Sequence, residues 1–124
     1  MKKQLEILKA LSDKNRLRIV VALTRYDELV ACQITELLQV TGATTSRHLS
    51  ILTHAGILDS RKDGRWIYFK LIRSADLEPV FQWLERTFQD SEGLKADQVA
   101  LEKITELGRE ELCRMQRGEE CCPK

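Results

Sequence analysis

Much that an enzyme would need is missing from this sequence of 124 residues. It has no Gly-rich phosphate loop, no dinucleotide fingerprint, no His-Glu zinc motif and no nucleophile set beside a base, so catalysis is not expected. Long apolar stretches are missing too. The longest strictly apolar run is Ile19 to Leu23, which excludes a helical membrane span and the apolar core of an export signal, and a cytoplasmic setting is expected. In that setting the four cysteines are read as thiols for metal, redox or packing rather than as a disulfide framework. No internal repeat or low-complexity linker appears, and the length suits one hydrophobic core.

A net charge of +1 says little about partners, but its distribution says more. Residues 1–40 carry seven basic and five acidic side chains, residues 41–75 six and two, and residues 76–124 seven and twelve. The positive charge therefore sits on one segment, which is the electrostatic footprint of a nucleic-acid reader. That segment opens with Thr41-Gly-Ala-Thr-Thr-Ser-Arg-His-Leu, where hydroxyl residues can cap a helix that buries Leu49 and Leu52 and turns Ser46, Arg47 and Ser50 elsewhere. Gly56 ends the helix. Leu58 to Leu71 then reads as two strands joined by an Asp63-Gly64 turn, with Arg61, Lys62 and Arg65 crowding the tip.

Upstream, Leu5, Leu8 and Leu11 mark an amphipathic helix, Ser12-Asp13 ends it and caps a second helix, and Ile34, Leu37 and Leu38 mark a third. A tight connection at Gln39-Val-Thr-Gly makes the third and fourth helices a helix-turn-helix. Downstream, a helix from Ser74 to Phe88 and a second from Leu94 to Met115 lead into a cysteine-rich tail. The expected fold is mainly α with a small β-hairpin, a winged helix-turn-helix. Residues 1–92 form the DNA-binding and dimerisation domain, and residues 93–124 a helical extension. The first helix and the Leu77 to Phe88 helix are expected to pack against their copies in a homodimer.

Three ordered segments carry a family resemblance: Leu8-Lys-Ala-Leu-Ser-Asp-Lys-Asn-Arg-Leu-Arg-Ile, Thr45-Ser-Arg-His-Leu-Ser-Ile-Leu-Thr-His-Ala-Gly-Ile-Leu and Gly64-Arg-Trp-Ile-Tyr-Phe-Lys-Leu. Over about residues 5 to 90 the chain resembles the ArsR/SmtB family of metal-responsive repressors. The resemblance implies a homodimeric repressor that sits on double-stranded operator DNA and leaves when a thiophilic metal or metalloid binds. Two departures stand out. Where arsenic-sensing members show a Glu-Leu-Cys-Val-Cys-Asp-like stretch, this chain has Glu28-Leu-Val-Ala-Cys-Gln, with Val30 in place of a ligand. Zinc-sensing members place Asp and His ligands along the last dimer helix, and neither His48 nor His54 lies there.

The remaining donors are Cys113, Cys121 and Cys122, with Arg114, Arg117 and Lys124 nearby to favour thiolates. Three thiolates suit a three-coordinate soft ion, As(III) or Sb(III), whereas zinc calls for a fourth ligand. Cys32, without a cysteine neighbour, reads first as a small buried hydrophobe and second as a ligand. A thiol-redox sensor and a cadmium or lead sensor of the same fold are the alternatives. For DNA, Thr44, Ser46 and Arg47 are the expected base-edge and phosphate contacts, Thr41 a cap or phosphate contact, and His48 either a contact or a structural residue. Arg61, Lys62 and Arg65 are expected at the minor groove. Arg16 is expected to anchor an ion pair, and Trp66, Tyr68 and Phe69 to serve mostly as core.

Overall fold

The computed structural model describes residues 1–107. Their elements are α1 (Lys2–Leu11), α2 (Lys14–Arg25), β1 (Leu29–Val30), α3 (Ala31–Leu38), α4 (Gly42–His54), β2 (Leu58–Asp63), β3 (Trp66–Leu71), α5 (Glu78–Phe88) and α6 (Glu92–Glu106). Asp13 starts α2 by accepting hydrogen bonds from the backbone N–H groups of Asn15 (2.9 Å) and Arg16 (3.1 Å). Gln33 reaches back to accept from the Val30 N–H at 2.9 Å, securing the start of α3.

The turn between α3 and α4 uses Gln39 in the left-handed region (φ 57°), a conformation usually left to glycine. Its side-chain amide donates to the Glu36 carbonyl at 2.7 Å, which holds the turn closed. At the far end of α4, Gly56 has φ +85° and donates to the Thr53 carbonyl, while the Ile57 N–H donates to the Leu52 carbonyl, both at 3.0 Å. This pair of bonds is a Schellman stop, which needs the missing Cβ of glycine.

The chain enters a three-stranded antiparallel sheet of order β1-β3-β2. Leu58 opposes Leu71 and Asp63 opposes Trp66, so the hairpin turn consists of Gly64 and Arg65 rather than Asp63 and Gly64. Only Gly64 has positive φ (66°), the pattern of a turn that requires glycine at its first central position. Strand β1 has no counterpart in the sequence reading. It adds a third strand to the expected hairpin, with Leu29 opposite Phe69 and Val30 opposite Tyr68. The architecture is a winged helix-turn-helix, with α3 and α4 as the paired helices and β2–β3 as the wing.

Helix α5 begins at Glu78, four residues later than the Ser74 start expected, because Ser74 caps a turn to Leu77 and Glu78 and Pro79 occupies the first helical turn. Phe81 and Leu84 face the chain's own core, and Trp83 faces outward at 54% exposure. Leu77 and Leu84 are therefore intrachain core residues, and the exposed large apolar side chains of α1 and α5 are Leu5, Leu8 and Trp83.

Helix α6 shares this core through Leu101 and Ile104 and packs on α2 and α3. It is also pinned by a bidentate pair: Arg18 Nε and one terminal nitrogen each donate to Asp97 at 2.9 Å. The same guanidinium donates to Asn15 Oδ1 (3.0 Å) and to the Leu37 carbonyl (3.1 Å) at the end of α3. Asp97→Ala would leave Arg18 largely enclosed without its anion. Breaking a buried pair costs about 3–5 kcal/mol, and the residual exposure of both side chains reduces the expected loss to about 2–3 kcal/mol in urea unfolding.

Candidate nucleic-acid interface

Thr41 caps α4 with its side chain, accepting from the Thr44 N–H at 3.1 Å and donating to Thr44 Oγ1 at 3.0 Å. The first N–H groups of a helix point at whatever lies before it, which suits an anion. One turn further on, Ser46 and Arg47 are exposed side by side. Thr41, Thr44, Ser46 and Arg47 thus share the first two turns of α4 and its outer side.

His48 does not join them. It is 7% exposed and faces Arg16, whose guanidinium donates to its Nδ1 at 3.3 Å while Arg16 Nε donates to the Ala10 carbonyl at 2.6 Å. Arg16 was expected to anchor an ion pair, and it instead anchors these two neutral groups. Burial lowers the His48 pKa below 6.5, and Arg16 and Arg47 push the same way against the opposing pull of Asp13. Arg16 therefore meets a neutral ring that accepts at Nδ1 and carries its proton on Nε2. The signal was present in the sequence: 45, 48, 49 and 52 fall on one helical face, and that face is the buried one.

Thr45, fully buried, completes the inner side. The Thr35 hydroxyl donates to Thr45 Oγ1 at 2.9 Å, a link between α3 and α4 that fixes how the two helices cross.

The wing cations are not presented together. Arg61 and Lys62 are neighbours on β2, so their side chains leave opposite faces of the sheet. Lys62 is exposed. Arg65 lies in the turn with its guanidinium 5.1 Å from the Trp66 ring centroid. Arg61 instead crosses the sheet, 4.3 Å over the Tyr68 ring, and forms a fork with Glu28 at 2.7 and 2.8 Å. This hydrogen-bonded pair lowers the Glu28 pKa and raises that of Arg61. Sequence reasoning missed the pairing of Glu28 with the wing, since nothing local marks a partner 33 residues away. Trp66 is buried, as expected of a core residue, and Tyr68 and Phe69 are partly buried against the core.

Cys32 is completely buried at the start of α3 and is disulfide-bonded, so it is more than a small apolar filler. Cys113, Cys121 and Cys122 lie outside the described residues. Among the described residues, no group of three or more His, Cys, Asp or Glu side chains is placed to hold a metal ion, and no helix is long and apolar enough to cross a membrane.

Residues 13–60 match the family model described as "Bacterial regulatory protein, arsR family". The chain is 49% identical over 61 residues to the cadmium resistance transcriptional regulatory protein CadC of Listeria innocua, covering 49% of this chain and 51% of that one. It therefore spans about half the length of this cadmium-resistance relative. It is 34% identical over 71 residues to the arsenical resistance operon repressor of Bacillus subtilis, covering 57% of this chain and 68% of the repressor. Among solved structures, HlyU from Vibrio cholerae superposes with a TM-score of 0.65 at 25% identity, covering 72% of this chain and 95% of the other. Neither curated relative is named as an enzyme.

The His48 environment generates a pH prediction. The unfolded chain takes up a proton near pH 6.5 while the folded chain holds the ring neutral, so stability should fall as pH drops through 6.5 toward the lower folded value. His48→Asn keeps an acceptor for Arg16 and removes the titration. It should flatten urea-derived stability below pH 6.5, and an unchanged slope would show that His48 is not the group responsible.

Proposed function

Since the chain belongs to the arsR family of bacterial regulatory proteins, we propose that it is an operator-binding transcriptional repressor that acts as a homodimer and is released from DNA by a thiophilic ion. The observation that carries the DNA reading is α4 itself. Its inner side is fixed by Thr35 and Arg16, and its outer side presents Ser46 and Arg47 beside a capped N-terminus. Arg47 can give guanine a bidentate pair, and the N-terminus and Thr41 suit phosphate. Arg47→Ala should cost about 1–3 kcal/mol on the cognate site and relax specificity, whereas Lys62→Ala should weaken all duplexes alike. Titration of the protein against its own upstream DNA and a scrambled duplex distinguishes the two. Unchanged operator affinity in the Arg47 variant removes the reader assignment.

The dimer reading rests on the groove between α1 and α5, which is lined by Leu8, Leu11, Val80, Trp83 and Phe88. Leu8 is 63% exposed, so Leu8→Glu leaves the chain's own core intact while placing a carboxylate where the copy would pack. The variant should scatter light as a monomer and lose operator affinity. A folded variant with unchanged mass removes this interface.

For the inducer, the donor chemistry supports As(III) or Sb(III) held by Cys113, Cys121 and Cys122. A disulfide sulfur does not ligate as a thiolate, so this set of three is complete, with Cys32 as a fourth donor, in the reduced chain alone. A second reading is favoured by that disulfide: two thiols become one disulfide, giving up two protons and two electrons to an oxidant such as peroxide, which leaves as water. Either signal acts as a population shift, and a coupling of about 1–3 kcal/mol lowers operator affinity some 5- to 150-fold. The metalloid reading expects Cys121→Ser with Cys122→Ser to bind DNA and ignore arsenite while Cys32→Ser still responds. Blindness of the Cys32 variant to peroxide, with arsenite inert on the parent, favours the disulfide.

A further inference from the structure

We propose that Glu28 is an intramolecular competitor of DNA for the wing: it captures Arg61 across the face of the sheet and withholds that cation from phosphate. The inference rests on the DNA-binding reading above. Glu28 directly precedes β1, and Val30, Tyr68 and Arg61 form one cross-strand row. The guanidinium sits on that row, 4.3 Å from the Tyr68 ring centroid, with two nitrogens of its fork on the two Glu28 oxygens and Asp63 at 3.8 Å from its third. A phosphate would need the same fork, because guanidinium recognises carboxylate and phosphate with one bidentate geometry.

Two consequences follow from the chemistry. While the fork is occupied, the wing offers DNA one cation fewer than its sequence suggests. If DNA takes Arg61, Glu28 is left as an anion facing a polyanion, with Lys70 as the other cation in its field. Glu28 thus weakens the wing in either state. Lys62 leaves the opposite face of β2 and stays outside this contest.

The experiment uses the reduced chain of 124 residues, a labelled duplex of its own upstream DNA and a random-sequence duplex, with affinity followed as KCl is raised. Glu28→Gln should tighten binding to both duplexes about 3- to 10-fold at low salt and steepen the slope of log K against log salt by about 0.9, one further phosphate contact. Arg61→Ala should change affinity less than about 2-fold in the parent and cancel the gain in the Glu28→Gln background. Lys62→Ala should flatten the slope in both backgrounds. If Lys62→Ala flattens the slope while Glu28→Gln binds like the parent or more weakly, the competitor role is overturned and the DNA reading stands. If Arg61→Ala alone flattens the parent's slope as much as Lys62→Ala does, Arg61 already contacts DNA and the role is likewise overturned. Absence of duplex binding by every protein overturns the DNA reading and this inference together. Matching thermal unfolding midpoints confirm that the variants fold, as expected for a pair on the outside of the sheet.

Discussion

The inner side of α4 is polar at positions where a helix lying on a core is usually apolar, and the presentation of its outer side depends on how that polarity is satisfied. Thr45 finds the Thr35 hydroxyl on α3, and His48 finds the Arg16 guanidinium, which is itself held by the Ala10 carbonyl of α1. A buried polar group without a partner costs about 1–3 kcal/mol, so rotating or sliding α4 would forfeit both links at once. Apolar packing by Leu49 and Leu52 is non-directional and tolerates small rotations. Hydrogen bonds do not, and these two convert an approximate helix packing into one angular setting for Ser46 and Arg47.

Electrostatics then divides the arginines and lysines into sets with different tasks. Arg16 and Arg18 are structural cations: one reaches a carbonyl and a neutral imidazole, the other Asp97 and the last turn of α3. Arg61 is committed to Glu28, while Arg47 and Lys62 stand exposed. A tally of positive charge therefore overstates what the surface offers a polyanion. Strand β1 ties this division to the thiol chemistry. It pairs with wing strand β3, follows Glu28 directly and runs without a break into α3, where Cys32 is the second residue. A displacement at the start of α3 acts on the wing through backbone hydrogen bonds rather than through a chain of side chains.

Helix-turn-helix, wing and the stop at Gly56 were legible because each is written locally, in a helical period, a glycine at a required positive φ, or a strand pair around a turn. Ser46 and Arg47 could be placed outward for the same reason. Strand β1 was not legible, since two residues carry no period. The state of Cys32 was hidden too, because a residue's covalent partner is a matter of tertiary proximity. The inward setting of His48 was recoverable from its spacing to Thr45 and Leu52, which decides between the contact and the structural role that its residue type left open. Leu84 looked the same from sequence whether it packed on a copy or on its own chain, and the structure puts it in the chain's own core at 2% exposure.

The attachment of α6 has a kinetic side. Its bidentate anchor joins residues 79 apart in the chain, whereas the Thr35–Thr45 link joins residues 10 apart. Each doubling of loop length adds about 0.6 kcal/mol of closure entropy, so three doublings make the α6 anchor about 2 kcal/mol more expensive to close. The helix-turn-helix can assemble before α6 closes onto it, and of these two attachments that of α6 is the costlier to re-form once lifted. Hydrogen exchange should then find α3 alternating between a covered state and a briefly bared one on a timescale set by α6 rather than by global unfolding. The helix that carries Cys32 would be reached from solution at the rate at which α6 lifts.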